Sequence, residues 1–457
     1  MNAKRHPPFL HSRAGFRHAI RIFNSWLHDG WCVRGDEGAM DRRYLVRYNL
    51  AANIVANLIG GNFYTGFLIL LGADDGFIGL MTILVYAANL FQLVSPLILE
   101  RLSNRKPLLV ALRIAYHLLN IVFIGLIPLV SGVTQVRMTL LAVTVLVVNI
   151  INSVMSPGLS VWHIAHVPPR VRVSYFSIVS IANGIGVAIC NLCASALVDV
   201  FKASNFELYG LLVIRAVAVI VAVYDITLLI RIRDVPVTKS PKVHILDILT
   251  KPWREKRYLR TVLIAFLWNL SANLIGAYYT VHLLRNVQVS YSFITLVSLM
   301  NIPILLLFTP IWRRVYANNS WMKPLSLALL IYAPRFIIES FVTKDLLFLF
   351  PLGEIWCYIC MVGINLGFSS FAYINIPEKN QTIYIGFYST ICNLGALLGS
   401  TFGRSFVTSL AGLQMTIFGV GIGEKQMLMA VSGFAMVIMS FVTYWVWRKN
   451  TAEGVET

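Results

Sequence analysis

Asparagine recurs four residues apart at two distant places in the chain. The first copy reads Asn53-Ile54-Val55-Ala56-Asn57-Leu58-Ile59-Gly60, the second Asn269-Leu270-Ser271-Ala272-Asn273-Leu274-Ile275-Gly276, with six of the eight positions identical. On a helix this spacing puts Asn53, Asn57, Gly60 and Tyr64 on one face, and Asn269, Asn273, Gly276 and Thr280 on the matching face, with Tyr278 and Tyr279 adjoining. A carboxamide carries both donors and an acceptor, and a phenol adds a flat apolar ring with a polar tip. Such a face can hydrogen-bond a hydroxyl-rich or otherwise neutral solute. Further polar side chains break apolar stretches at Tyr86, Asn89, Gln92, Asn149, Asn152, Asn183, Asn301, Tyr358, Asn365 and Asn393. The same asparagines serve equally well as bonds between apolar helices, and both readings stand at this level.

Ionisable side chains inside apolar stretches are costly and need a partner or a task. Glu354 shares a face with Tyr358, Met361 and Asn365, and Arg335 lies at matching depth with Glu339 one turn away. A Glu354–Arg335 pair is expected, acting either as a proton-binding switch or as a fixed bridge. Arg113 and Asp225 are matched in the same way and read as structural, while His117 and Arg215 have no evident partner. No catalytic residues, cofactor site or metal site emerge. Cys190/Cys193 and Cys357/Cys360 have C-x-x-C spacing but lie in apolar segments without further ligands. No phosphate-binding G-x-x-x-x-G-K loop occurs.

The elements that must position these residues follow from composition. Hydrophobic residues make up 57% of the 457 and charged residues 13%, far from a water-soluble balance. The apolar residues fall in segments of roughly 20, the length of a bilayer-spanning helix. Twelve such segments are expected between residues 49 and 447. Helices are required, because unpaired backbone groups in lipid are prohibitive and the alternation of a membrane barrel is absent. Beyond the octapeptides, Gly158, Ser160, Pro168 and Tyr175 answer to Gly367, Ser369, Pro377 and Tyr384 at a constant offset of 209. Six helices separate the copies, so the halves run parallel. The expectation is an all-α integral membrane protein of twelve transmembrane helices in two parallel six-helix repeats. Its parts are a basic N-terminal segment (1–48), the first bundle (49–230), a basic connector (231–258), the second bundle (259–447) and a tail (448–457).

The net charge of +18 orients the chain and does not call for nucleic acid. Twenty-nine of the 38 Lys/Arg fall on the side of the termini, against five on the other: Arg137, Lys202, Arg285, Lys344 and Lys425. That asymmetry predicts cytoplasmic termini in a multi-pass protein of the cell membrane. In the first segment, Phe16, Ile20, Phe23 and Leu27 share a helical face flanked by Arg17, His18 and Arg21. This reads either as a short interfacial helix or as an extension upstream of Met40. A surface helix is expected around 243–250.

Twelve spans, the parallel repeat, the basic connector and the loop Glu100-Arg101-Leu102-Ser103-Asn104-Arg105-Lys106-Pro107 together resemble the major facilitator superfamily. Ser103 stands where that family's loop motif has glycine, Asn104 where a basic residue is common, and the second copy, Trp312-Arg313-Arg314, lacks the acid. The resemblance covers about 49–447. It implies a solute carrier whose central cavity is lined by helices 1, 2, 4, 5, 7, 8, 10 and 11, with Glu100, Arg101, Arg105 and Lys106 in a cytoplasmic gate. The expected partners are a small-molecule solute, the lipid bilayer and a co-transported proton; alternating access would carry a neutral, sugar-like solute. The alternatives are export of amphiphilic compounds, an integral-membrane enzyme, and a transporter-like sensor.

Overall fold

The computed structural model describes residues 38–452 apart from 96–97, 99–101, 103, 131–132, 169–170, 235–247, 249, 318, 320, 369–370 and 372–380. The amphipathic N-terminal segment, half of the connector, and Glu100 and Arg101 lie outside these residues. Among the described residues, ten helices are long and apolar enough to cross a bilayer. They are α1 (Ala39–Leu70), α2 (Asp75–Val94), α3 (Lys106–Leu129), α4 (Thr134–Ala165), α5 (Ser174–Ala203), α6 (Glu207–Arg231), α8 (Tyr291–Ala317), α10 (Leu349–Phe368), α11 (Ile383–Ser409) and α12 (Glu424–Ala452). Two interrupted segments complete the twelve: α7 (256–287) and α9 (322–340).

The interruptions have local causes. α9 breaks at Ala333, where Pro334 withdraws a backbone N–H from the helical ladder. α8 loosens at Met300, three residues before Pro303. The two copies of the repeated octapeptide both end in a break. α1 stops at Leu58 and restarts at Gly61 with φ +51°, and α7 unwinds from Asn273 to Ala277 with Gly276 at φ +43°. Only glycine enters that region without strain. The faces foreseen as continuous through Gly60 to Tyr64 and through Gly276 to Thr280 are therefore cut, and the residues beyond each break point elsewhere.

An addition to the all-helical expectation joins α11 to α12. Strand β1 (Gln414–Ile417) pairs antiparallel with β2 (Val420–Gly423) across Phe418-Gly419, both at positive φ as a tight hairpin turn requires.

Within each half the helices pack through small residues. On α11, a Cβ on Gly395 would come within 2.6 Å of the Phe266 carbonyl oxygen, and Gly399 and Gly403 lie still closer to the carbonyls of Leu270 and Leu274. α11 thus rests directly on the backbone of α7. In the first half, Asp225 of α6 binds Arg113 Nε at 2.8 Å and His117 Nε2 at 2.6 Å, both from α3. The expected Arg113–Asp225 pair is present, and His117, which had no evident partner, is its third member. Arg215 sits 4.4 Å over the Phe67 ring and donates to the Asn120 carbonyl.

The end of α12 lies on the same side as the start of α1, called here the terminal face; the opposite side is the distal face. One apolar cluster spans both halves near the distal face, including Phe63 and Phe67 of α1, Tyr291 and Val297 of α8, and Phe350 of α10. Toward the terminal face the clusters are separate. One, around Leu45, Trp162 and Leu229, belongs to the first half; another, around Tyr258 and Phe387, belongs to the second and takes only Leu93 from α2. Because backbone carbonyls cannot move aside, Gly399→Ala is expected to lower stability by about 1–3 kcal/mol. A thermal unfolding midpoint in detergent equal to that of the unaltered protein would contradict this packing.

Candidate functional site

The halves meet along two seams, α1 with α7 and α2 with α11 on one side, and α5 with α8 on the other. Distally, Asp75, at the start of α2, accepts an ion pair from Arg285 and another from Lys425 at 2.5 Å. Arg285 also donates to the Ala73 carbonyl at 2.6 Å, and Arg404 of α11 reaches the Gly76 carbonyl at 2.8 Å. Across the other seam, Asp199 of α5 accepts from the backbone N–H groups of Tyr291 and Ser292 at 2.9 and 2.8 Å, capping the start of α8 where unpaired donors favour an anion. Glu207 accepts from the Tyr291 hydroxyl at 2.9 Å, and Ser195 bonds Thr295 at 2.6 Å. Two tyrosines of the second half are seated on glycines of the first: Tyr291 on Gly66 and Tyr278 on Gly79, where any Cβ would collide with the ring or hydroxyl. A vestibule of about 740 Å³ lies beyond this closure, bounded by Lys202, Glu207, Arg285, Gln288 and Tyr291.

Below the closure the helices open. No residue of α5 from Ser180 to Cys193 is buried, and on α8 only Ile304 and Trp312 are buried among the described residues from Met300 onward. A helix at a bundle edge still buries one face. From Ser180 to Cys193 α5 is half-buried or exposed, and α8 is mostly exposed from Met300 onward, so neither is packed into a bundle core there.

The foreseen polar residues divide into groups. Asn53, Asn57, Asn149, Asn269, Asn273 and Asn393 each turn Nδ2 to the backbone carbonyl four residues earlier, at 2.7–2.9 Å. Asn49, which sequence reasoning passed over, extends this ladder on α1 by bonding the Leu45 carbonyl at 2.8 Å. The oxygen of Asn57 accepts from Asn191 of α5 at 3.3 Å, within one half; that of Asn273 accepts from Tyr86 of α2, across the halves. Asn89 accepts from Ser153 of α4 at 3.1 Å, and Gln92 accepts from Ser389 of α11 at 3.4 Å on the terminal side. Asn152 and Asn183 are half-buried; Asn301 and Asn365 are exposed on α8 and α10. Tyr64, past the α1 break, turns its hydroxyl into the first half, where it is buried without a hydrogen-bond partner.

The foreseen Glu354–Arg335 pair is part of a larger cluster. Arg335 bonds Glu339 at 2.6 Å, Glu354 at 3.4 Å and the Tyr332 hydroxyl at 2.5 Å. Tyr279 of α7 lies against it with its ring 5.9 Å from the guanidinium, and Tyr358 lies within hydrogen-bonding reach of Glu354 and of Ser298 on α8. Glu339 is 1% exposed and Glu354 12%, so the first is sealed and the second is the more accessible of the two. One guanidinium faces two carboxylates; the cluster is neutral only when one of them carries a proton.

Of the four loop residues, Arg105 is buried and Lys106 caps the end of α6, donating to the Ile230 and Ile232 carbonyls at 2.7 and 2.6 Å. Lys106 thus holds α3 to α6 within one half. Asp75, Asp199, Glu207 and Tyr291 were missed by sequence reasoning. Asp75 and Asp199 stand at helix ends, where a charge reads as ordinary, and their partners lie 92 to 350 residues away.

Comparisons with known proteins agree with this geometry. A family model described as Major Facilitator Superfamily matches residues 50–400. A search of curated proteins finds no significant match. Among solved structures, the chain is similar to the nucleoside transporter NupG, with 14% identity, TM-score 0.61, and coverage of 89% of this chain and 99% of that one. It is similar to a bacterial homologue of the human lysosomal transporter Spinster, with 14% identity, TM-score 0.63, and coverage of 91% and 98%. It is also similar to a D-xylose–proton symporter, with 12% identity, TM-score 0.60, and coverage of 88% and 97%. Two six-helix bundles joined by the distal contacts, with the family match running through both, make this chain a member of the Major Facilitator Superfamily and a membrane transporter, not an enzyme.

Proposed function

We propose that the protein moves a small, neutral, polar solute of sugar-like character across the cell membrane by alternating access, driven by a proton gradient. The observation that carries this reading is a set of half-buried carboxamides in apolar helices: Asn53, Asn149, Asn269 and Asn393 stand on four helices, two from each half. A site built at the interface of parallel repeats is exposed to one side or the other as the bundles tilt. The Lys/Arg excess on the terminal face supports a cytoplasmic location for both termini. The distal face is then outside, and the conformation is closed outward and open inward. Two of the structurally similar proteins are a nucleoside transporter and a D-xylose–proton symporter, which agrees with a neutral solute.

In this reading the Asp75–Arg285–Lys425 cluster is the outer gate. Opening outward separates one carboxylate from two cations, and solute bound inside must favour the parted state enough to offset that loss. The Arg335–Glu339–Glu354 cluster is the proton site. A proton arriving at Glu354 frees Arg335 to stay with Glu339 alone, loosening α10 from α9 and, through Tyr358 and Ser298, from α8. Glu100 and Arg101, which follow α2 in the sequence, complete an inner latch when the halves close on that side.

Asp75→Asn removes the shared anion, leaving Arg285 without its carboxylate and Lys425 with Glu424 alone. The expected result is a shift of about 1–2 kcal/mol toward the outward-open state, roughly tenfold. It is read as faster labelling of Ser195→Cys, buried beneath the gate, by an impermeant thiol reagent added outside; an unchanged labelling rate would rule out the gate. For the proton site, Glu354→Gln is expected to keep solute exchange in proteoliposomes while concentrative uptake under an imposed proton gradient falls to the equilibrative level. Full accumulation by this variant would remove Glu354 from coupling.

A further inference from the structure

Tyr291 keeps two opposite charges apart at the distal face. Its ring centre lies 5.6 Å from Lys202 Nζ, and its hydroxyl donates to Glu207 at 2.9 Å. Among the described residues neither Lys202 nor Glu207 enters an ion pair, although both line the same vestibule of about 740 Å³. The third charge on that wall, Arg285, is already balanced by Asp75. What remains is one cation and one carboxylate, both half-buried, with a rigid phenol between them. A second cavity, of about 500 Å³, adjoins the first at Phe206 and Tyr209. It is an apolar furrow between Phe201 of α5 and Leu212, Val213 and Ala216 of α6, open on the exposed side of that helix. From Glu207 to Ala216 the helix descends about 14 Å into the apolar span.

We infer that the vestibule and the furrow together hold one zwitterionic phospholipid of the distal leaflet. Its phosphate lies against Lys202, its primary ammonium against Glu207, and one acyl chain fills the furrow. The chemistry runs along the membrane normal in the order of such a molecule: opposite charges at the helix ends, the Phe206–Tyr209 pair at the interface, apolar side chains beneath. Each charge gains a partner it lacks, and hydrogen bonds between charged groups are the strong ones. A water-soluble zwitterion would satisfy the charges and leave the furrow uncovered; a sugar-headed lipid would do the reverse. The site also belongs to one conformation. Lys202 and Glu207 stand in the first half, whereas Arg285, Gln288 and Tyr291 come from the second. When the distal seam parts, Tyr291 leaves Gly66, the far wall of the vestibule goes with it, and Lys202 is free to pair with Glu207 directly. Bound lipid therefore favours the distally closed state through its differential affinity for the two states. That consequence rests on the alternating-access reading; the lipid site rests on the fold alone.

Native mass spectrometry of the purified full-length protein in detergent micelles counts the lipids it holds. The probes are phosphatidylethanolamine, phosphatidylglycerol and diglucosyldiacylglycerol with the same acyl chains, and glycerophosphoethanolamine, which has the headgroup without chains. One phosphatidylethanolamine is expected to bind at least about tenfold more tightly than any of the other three. Lys202→Gln, Glu207→Gln and Ala216→Phe, which blocks the furrow at an exposed position, are each expected to weaken it by about tenfold, and Lys202→Arg to keep it. Equal affinity for phosphatidylglycerol or the glycolipid, equally tight glycerophosphoethanolamine, or wild-type affinity in both glutamine variants overturns the site. No solute enters these measurements, so such a result leaves the carrier reading standing. For the gate, labelling of Ser195→Cys in proteoliposomes by an impermeant thiol reagent added outside is expected to slow by about tenfold when phosphatidylethanolamine replaces the glycolipid, and Lys202→Gln to abolish the difference. A rate indifferent to the lipid, with binding intact, overturns the gating role.

Discussion

Asp75 occupies a position on which much of the rest depends. It starts α2 in the first half, yet its carboxylate is shared by Arg285 from the end of α7 and Lys425 from the start of α12, both in the second half. With side chains 19%, 31% and 6% exposed respectively, these pairs are shielded enough to matter and wet enough to break. The neighbouring tyrosines convert that attraction into a seal. Tyr278 and Tyr291 lie on Gly79 and Gly66 because no side chain stands in their way, and Phe63 stacks on Tyr291 at 5.8 Å. Charge holds the seam, and shape closes it.

What the seam closes over is set by the repeated octapeptide. Its glycine end breaks α1 and α7 just beneath the closure; Asn53, Asn57 and Asn269 sit in the last helical turns before the breaks, and Asn273 stands where α7 begins to unwind. Asn57 and Asn273 then do unlike things from equivalent places. Asn57 ties α1 to α5 within its own half, whereas Asn273 reaches Tyr86 across the halves. A duplicated sequence has thus supplied one internal strut and one contact that must part when the bundles tilt.

The architecture was legible because lipid permits so few backbone solutions: span length, an even number of helices between copies and the lopsided Lys/Arg count each constrain topology. The Arg113–Asp225 and Arg335–Glu354 pairs could be read by matching depth along apolar segments. Depth does not give rotation, however, and Glu339, one turn from Arg335, proved its nearer partner. Tyr64 was placed on the asparagine face by helical period, which fails once Gly61 takes positive φ. The distal clamp was invisible for a different reason. Arg285 and Lys425 read as two minority charges on the sparsely basic side, and nothing local ties either to Asp75, 210 and 350 residues away.

Everything here turns on two rigid halves that exchange contact between opposite faces. Ser204, between α5 and α6, and Asp345, between α9 and α10, are exposed on the distal face of different halves. Spin labels at these two positions, measured by pulsed dipolar spectroscopy in lipid nanodiscs, report the gap directly. The account predicts a short and a long distance in coexistence, with their proportions shifting when a transported solute is added. A single distance, indifferent to every solute that crosses the membrane, would contradict it.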